Sequence, residues 1–244
     1  IGSDSWSDDA AFAEASRETG VTGICGSGIV EVVAELFLAG VITPDGVIDG
    51  SVAARSSRVM ADGRTFSYLL HDGSAAGRPR ILVTQNDVRA IQLAKAALYA
   101  GARLLMDHLA VESIDEVKLA GAFGSQIDPF HAMVLGLIPD CDLARVRSAG
   151  NAAGTGALIA LLSRAARTEI EDVVRTVEKI ETAVEPDFQQ HFVEAMAFPH
   201  RTAAYPHLSG VVELPARPSD GAADGRSGRR RPRPGVASKS GAEA

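Results

Sequence analysis

Residues 117–139 read VKLAGAFGSQIDPFHAMVLGLIP, and the order of residue types in this stretch predicts the fold class. Val117–Ala120 is a short apolar run between polar residues, which is typical of a buried strand. Gly121 and Gly124 follow directly and predict a tight turn, since glycine permits backbone conformations that other residues avoid. A strand, a glycine turn and a helix in this order indicate an α/β protein.

The helix after this turn is predicted over Pro129–Leu135. Asp128 is a good N-cap, proline suits the first helical turn, and Gly136 ends the apolar run. This arrangement can bring backbone amides against a nucleotide, because a helix N-terminus offers unpaired N–H groups. A tight connection that binds no ligand explains the glycines equally well, so the residues alone leave both interpretations open.

The composition is that of a soluble globular protein, with 46% hydrophobic and 23% charged residues in a chain of 244. No apolar run approaches the length of a membrane span, so we expect no membrane partner. Cys25 and Cys141 are the two cysteines, which argues against a secreted disulfide framework and favours a cytoplasmic protein. The chain begins with Ile1, so we expect a fragment or a processed product.

Three segments are predicted from the distribution of charge and of glycine and proline. Residues 1–20 form a polar N-terminal segment, residues 21–200 a folded lobe, and residues 201–244 a basic, disordered tail rich in proline and glycine. The arginine cluster at 229–233 is the one candidate nucleic-acid contact. The net charge of −7 argues against such a surface, so no nucleic-acid partner is predicted.

A second glycine segment, Gly26-Ser27-Gly28, precedes a run with helical spacing that ends at Gly40. A Gly-Ser-Gly turn before a helix suits an anion at the helix N-terminus. Close packing of the helix end under a neighbouring strand is the alternative, and the residues do not distinguish the two.

The middle of the chain predicts two strands and a long helix. Residues 51–64 are expected to form a loop, and Thr65–Leu70 and Arg80–Thr84 are expected to be strands. Thr84 and Asp87 have the spacing of a capping box, which opens a helix. The second strand is predicted to lie beside Val117–Ala120 in one sheet, with the helix as a right-handed crossover between them.

This helix is predicted to run to about Leu109 and to have two distinct faces. One face is apolar and is expected to be buried: Ile91, Ala94, Leu98, Gly101 and Leu105. The other is polar and is expected to face solvent or to border a ligand: Gln92, Lys95, Tyr99 and Arg103.

The rest of the chain predicts alternating strands and helices. Strands are expected over 144–149 and 177–182, and helices over 157–167 (opened by residues 150–156), 169–177 and 186–196. Gly154 and Gly156 are interpreted as sites of close packing. The six histidines show no metal-ligand spacing, so no metal site is predicted.

Taken together, six stretches resemble one known family, the C-terminal half of the ATP-dependent reductive activators of corrinoid proteins. The ATPase core of these activators belongs to the superfamily of acetate and sugar kinases, heat-shock chaperone ATPases and actin. The resemblance covers most of residues 21–200 in consistent order. It rests on TGICGSGIVEVVAELFLAG (22–40), LVTQNDVRAIQLAKAALYAG (82–101), VKLAGAFGSQID (117–128), LGLIPD (135–140), SAGNAAGTGAL (148–158) and FQQHFVEAMAFPH (188–200).

The resemblance implies the second lobe of an actin-like, ribonuclease H-like ATPase, with a mixed sheet and helices on both faces. Nucleotide would occupy the cleft between two lobes. Gly121, Ala122 and Gly124 would lie on the turn that binds adenosine. Gln85, at the start of the long helix, would border the nucleotide base.

The resemblance also implies that Gly26, Ser27 and Gly28 lie at a helix N-terminus that faces the phosphates or the neighbouring metallocentre. In such activators, ATP turnover drives a low-potential electron from an iron–sulfur domain onto Co(II), which restores Co(I) in the corrinoid. The expected partner is a corrinoid protein or a corrinoid-dependent methyltransferase, and a homodimer is expected.

The chain departs from the family because the first lobe and the N-terminal iron–sulfur domain of the family are missing. The expected cofactor is ATP with Mg, in a cleft shared with the missing lobe, and a [2Fe–2S] cluster is expected only in the missing N-terminal domain. The carboxylates that hold Mg are not expected in this chain, which by itself is predicted to be inactive. The alternatives are a small-molecule kinase lobe of the same superfamily and a non-enzymatic interaction module that retains the lobe.

Overall fold

The computed structural model of the protein describes residues 14, 20–182 and 184–216, and these form an α/β structure, as predicted. Of the predicted N-terminal segment, only residues 14 and 20 are in this part of the chain. The arginine-rich sequence from residue 217 lies outside it. Across the described residues, no helix combines the length and the apolar character needed to cross a bilayer.

Helix α1 (Gly26–Leu38) follows the Gly-Ser-Gly segment and carries one face of the core. Its buried residues recur at helical spacing, and Val33 and Phe37 are almost completely shielded from solvent. The helix ends at the predicted glycine: Gly40 has φ +66°, and its amide donates to the carbonyl of Phe37.

Three strands form an antiparallel sheet in the order β1–β2–β3. They are β1 (Val59–Asp62), β2 (Thr65–Asp72) and β3 (Arg80–Thr84). The two predicted strands are confirmed, but the prediction of a loop over 51–64 is wrong because β1 lies within it. A four-residue strand with little alternation of polarity is not distinguishable from a loop in the sequence.

Helix α2 (Gln85–His108) begins at the predicted capping box, which is present in full. Over most of its length its two faces are the reverse of the prediction, although Ile91 packs against the core as predicted. Gln92 and Lys95 are buried, whereas the side chains of Leu98 and Leu105 are 55% and 53% exposed. Arg103, at the end of the polar line, is partly exposed and pairs with Asp107 at 2.6 Å.

The polar face of α2 is buried because it supplies hydrogen-bond donors to backbone carbonyls at residue 45 and in the loop at 196–200. Gln92 Nε2 donates to the carbonyls of Asp45 and Met196, at 3.0 and 2.7 Å. Lys95 Nζ donates to the carbonyls of Ala197 and Pro199, both at 2.6 Å. The buried carbonyls of the loop at 196–200 need hydrogen-bond donors, so the polar face of α2 packs against this loop.

Two further strands, β4 (Val117–Ala120) and β5 (Val146–Gly150), form a separate parallel pair. They are connected by α3 (Gly121–Gly124) and α4 (Pro129–Leu135), and the α4 bounds are those predicted. The prediction that β3 and β4 are neighbours is wrong, since they belong to different sheets. The pairing partner of a short apolar strand is a tertiary choice that its own residues do not encode.

The C-terminal part is helical, with α5 (Ala152–Leu162), α6 (Arg164–Thr176), α7 (Phe188–Glu194) and α8 (Pro206–Ser209). The predicted strand over 177–182 is wrong, because these residues have no strand pairing. The core continues past residue 200, where the lobe was predicted to end, since Tyr205 and Leu208 are buried in it.

Candidate functional site

The two glycine segments singled out in the sequence meet in the structure. Gly26, at the first position of α1, lies against the ring of Phe123 in α3: a Cβ built on this glycine would be 3.1 Å from a ring carbon. Real Cβ atoms rarely come so close, so the contact favours glycine at position 26. The N-terminus of α1 and the turn after β4 are therefore in contact.

The start of α1 combines a side-chain cap with amides that precede the first helical hydrogen bond. Cys25 is the N-cap, and its Sγ accepts from the amide of Gly28 at 3.3 Å. The first intrahelical bond runs from the amide of Ile29 to the carbonyl of Cys25. The amides of Gly26 and Ser27 come before this bond and point out of the helix end, where an anion is favoured.

Cys25 is exposed, and its hydrogen bonds stabilise the thiolate. The hydroxyl of Ser27, 3.5 Å from Sγ, and then the amide of Gly28 lower the pKa of the Cys25 thiol. Cys141 is the opposite case, because burial raises the pKa of its thiol and the side chain is fully enclosed in the core.

We expect iodoacetamide to alkylate Cys25 well before Cys141, at a pH below that at which an ordinary cysteine reacts. A lowered pKa gives more thiolate at a given pH, and the thiolate is the nucleophile. Ser27→Ala should move the pH profile of Cys25 labelling upwards, which mass spectrometry of the labelled peptides would measure. Equal labelling of both cysteines in the folded chain would contradict the assignment.

The carboxyl ends of β4 and β5 add a glycine that the sequence interpretation missed. Gly121 has φ +92° and Gly150 has φ +56°, and no atom lies within 4 Å of a Cβ built on either. Gly150 is in register with Ala120, the last residue of β4. Because the strands are parallel, the two glycines follow neighbouring strand ends. The sequence did contain a signal for Gly150, because this glycine directly follows the strand predicted over 144–149.

The other residues of the turn have structural contacts. Gly124 packs on its own strand, since a Cβ there would be 3.2 Å from the carbonyl carbon of Leu119. Ala122 is exposed, and its carbonyl accepts from Ser125 Oγ at 2.9 Å. A larger residue at position 124 would press on β4, whereas position 122 can change without disturbing the core.

Gln85 is engaged with a different part of the molecule. Its Nε2 donates to the carbonyl of Gly46 at 2.7 Å, and its Oε1 accepts from the amide of Ile48 at 2.9 Å. It borders a shallow cavity of about 260 Å³ that Phe66 and Arg64 also line. These hydrogen bonds join Gln85 to the turn at 43–48, and a role at the nucleotide base stays a prediction.

In the described ranges 20–182 and 184–216, no cluster of three or more histidine, cysteine, aspartate or glutamate side chains is arranged to hold a metal ion. Four histidines pair instead with carboxylates: His108, His131, His191 and His207. His131 lies between Asp128 and Glu35, with ring nitrogen to oxygen distances of 2.7 and 2.9 Å. The contact with Glu35 joins α4 to α1 at the protein surface.

Comparisons with known proteins give independent evidence on the family of this chain. Residues 4–209 match the sequence model of a family described as the C-terminal domain of RACo, the ASKHA domain. The corrinoid activation enzyme RamQ of Eubacterium limosum is 36% identical over 184 residues, which are 72% of this chain and 31% of RamQ. A solved structure, a reductive activator for corrinoid, iron–sulfur protein, is 33% identical with a TM-score of 0.65 and covers 73% of this chain.

The chain spans about a third of the length of these relatives, 31% of RamQ and 28% of the solved structure. ASKHA denotes the superfamily of acetate and sugar kinases, heat-shock chaperones and actin, so the predicted lobe of an actin-like ATPase fold is confirmed. The suspected resemblance is confirmed as well. The chain belongs to the family formed by the C-terminal ASKHA domain of RACo.

Proposed function

We propose that the chain is the nucleotide-binding lobe of an ATP-dependent reductive activator that restores Co(I) in corrinoid proteins of methyltransferase systems. One observation carries the proposal: the contact between Gly26 and Phe123 joins the α1 N-terminus to the turn after β4. In an α/β protein, a ligand is expected where strand carboxyl ends and helix N-termini converge. RamQ is by name a corrinoid activation enzyme, which supports the choice of reaction.

The residues of this site fit a nucleotide. Gly26 and Ser27 would hold phosphate oxygens through their amides, and the positive end of the α1 dipole would favour the negative charge. Gly121 and Ala122 would lie along the adenosine, where the absence of a side chain at position 121 leaves open space. ATP bound there would supply, through hydrolysis, the free energy for a low-potential electron transfer.

In this proposal, Mg binding and electron supply are provided by polypeptide outside these 244 residues. Mg would be held by carboxylates of a first lobe, and the electron would come from a [2Fe–2S] domain. The partner would be a corrinoid protein or a corrinoid-dependent methyltransferase, and the assembly a cytoplasmic homodimer. The chain alone would bind ATP weakly and hydrolyse it negligibly, since phosphoryl transfer depends on the missing positioning groups.

The test is the substitution Ser27→Asp, compared with its neutral isostere Ser27→Asn. A carboxylate in the first turn of α1 should leave the helix as stable or more stable, because it complements the helix dipole. The same charge should repel the phosphates and weaken ATP binding by at least about tenfold, or about 1.4 kcal/mol. ATP binding can be followed on the intact chain by the protection of Cys25 from iodoacetamide.

Comparison of the two variants distinguishes the effect of the added negative charge from the effect of the larger side chain. Ser27→Asn also removes the hydroxyl beside Cys25, so it corrects for the loss of this hydrogen bond, and each variant is compared with its own labelling rate without ATP. We expect ATP to protect Cys25 in the wild-type chain and in Ser27→Asn, but only at much higher concentration in Ser27→Asp. Equal protection in all three proteins would remove the α1 N-terminus from the nucleotide site. An absence of any ATP binding would favour the non-enzymatic module.

A further inference from the structure

A cavity of about 500 Å³ lies at the amino ends of β4 and β5. Its walls come from residues that precede the two strands and from the start of β5: Glu116, Asp142, Ala144, Arg145 and Arg147. Gly121 and Gly150 are at the carboxyl ends of the same strands, so about 13 Å or more separates the cavity from the candidate nucleotide site. Small-molecule sites have volumes of about 300–1,000 Å³, so this cavity is large enough for an organic ligand.

The cations around this cavity outnumber the carboxylates that pair with them. Glu116 is shared between two cations, since its Oε2 lies 3.5 Å from Lys118 Nζ and its Oε1 lies 4.0 Å from Arg147 Nε. In the described part of the chain, the guanidinium of Arg145 has no hydrogen bond or ion pair. Its N–H donors are therefore available for a ligand in the cavity.

The register of β4 and β5 places two of these cations directly opposite each other. Lys118 pairs with Arg147 across the parallel strands, and their side chains are 66% and 69% exposed. Like charges in this position repel each other and destabilise a sheet. The whole chain has a net charge of −7, so a concentration of positive charge is not a general property of its surface. The arrangement favours an anion in the cavity, because an anion would offset this repulsion.

We propose that the cavity binds a small organic phosphate that carries hydroxyl groups, such as a sugar phosphate. Arg145 and Arg147 would hold the phosphate group, since a planar guanidinium donates two N–H groups at once to phosphate oxygens. Glu116 and Asp142 would accept from the hydroxyl groups of the ligand, because ionised carboxylates only accept hydrogen bonds. One oxygen of Asp142 already accepts from the amide of Ala144 at 3.0 Å, which fixes the orientation of this carboxylate.

This ligand would be an effector and not a substrate, because substrates of α/β proteins bind at the carboxyl ends of the strands and the cavity lies at the amino ends. Inorganic phosphate would engage the arginines but would leave Glu116 and Asp142 without a ligand. A neutral sugar would lack the group that the arginines bind. Both parts of the ligand are therefore needed, and the proposal does not depend on ATP binding at α1.

The experiment is isothermal titration calorimetry of the intact chain in about 0.15 M salt, where the charges of an open surface are largely screened. The ligands are glucose 6-phosphate and glycerol 3-phosphate, and the controls are glucose and inorganic phosphate. We expect one site per chain with a Kd below about 1 mM for an organic phosphate, binding of inorganic phosphate that is about tenfold weaker, and none of glucose. Equal binding of either control, or no binding of both organic phosphates at about 10 mM, would overturn the proposal.

Two variants with the same change in charge locate the site. Arg145→Gln removes a guanidinium of the cavity and should weaken the binding of the organic phosphate about tenfold, because charge-assisted hydrogen bonds are lost. Arg175→Gln removes an arginine of α6 whose side chain is 73% exposed, and should change the affinity less than about twofold. Both residues are exposed, so neither variant should affect folding, which circular dichroism would verify. Equal affinities of the two variants would exclude the cavity as the site.

Discussion

Gly136→Ala is expected to lower the free energy of unfolding by about 4 kcal/mol, combining left-handed strain with overpacking. Gly136 ends α4 at φ +72°, in the left-handed region that L-residues avoid. A Cβ at this position would also overlap the carbonyl oxygen of Pro199 and would lie 3.1 Å from the hydroxyl oxygen of Tyr205. The carbonyl belongs to backbone and cannot move aside as a flexible side chain can.

Gly63→Ala is the matched control. Gly63 joins β1 to β2 at φ +60°, but no atom lies within 4 Å of a Cβ built there. The control should therefore cost only the left-handed strain, about 1–2 kcal/mol. Urea unfolding followed by circular dichroism would measure both variants. Similar losses would show that the contact with Pro199 does not constrain the fold.

Lys95→Ala should destabilise the protein by a similar amount, about 4 kcal/mol, from a cavity and two unpaired carbonyls. Lys95 is completely shielded from solvent, and its ammonium group donates to the carbonyls of Ala197 and Pro199. The same group lies 5.5 Å from the ring centroid of Phe198 and is attracted by the π-electrons. Loss of the side chain removes all three contacts.

Two further variants separate the contributions in the same urea experiment. Lys95→Met keeps most of the volume but donates no hydrogen bonds, so it should lose about half as much stability, about 2 kcal/mol. Lys118→Ala removes a lysine whose side chain is 66% exposed and should change stability by less than about 0.5 kcal/mol. If Lys95→Ala were no worse than Lys118→Ala, the buried ammonium would be unimportant for the fold.

Both predictions concern the carbonyl of Pro199, which contacts α2 through Lys95 and is overlapped by any side chain at position 136. The adjoining backbone is fixed as well, since the amide of Phe198 donates to the carbonyl of Pro44 at 2.8 Å. This loop therefore connects three parts of the chain that are distant in sequence. The sequence does not indicate that this loop connects distant parts of the chain, because AFPH (197–200) has the composition of an ordinary break after a helix.

The sequence alone determined those features that depend on neighbouring residues. The capping box at Thr84 and Asp87, the start of α4 after Asp128, and its end at Gly136 are all found where they were predicted. Each is a contact between a side chain or a backbone group and atoms a few residues away. Such contacts form in the same way whatever the rest of the chain does. The resemblance to the activator family rests on the same local motifs.

The candidate site was predictable only in part. Gly26 and Gly121 were recognised as glycines that suit a ligand, but the contact of Gly26 with Phe123, two residues after Gly121, is a tertiary contact. Gly150 was missed because its role follows from the register of β5 against β4. Gln85 was assigned to the nucleotide from the resemblance, whereas its hydrogen bonds in the structure hold the turn at 43–48.

Only the tertiary structure decided which side of α2 is buried. Periodicity shows that the helix has two faces, and hydrophobicity assigns Leu98 to the interior and Lys95 to solvent or to the border of a ligand. The structure reverses this, because the carbonyls of the loop at 196–200 need donors and Lys95 supplies them. Satisfying buried polar groups outweighs the burial of two leucines, and a chain cannot show in its sequence which distant carbonyls will need a partner.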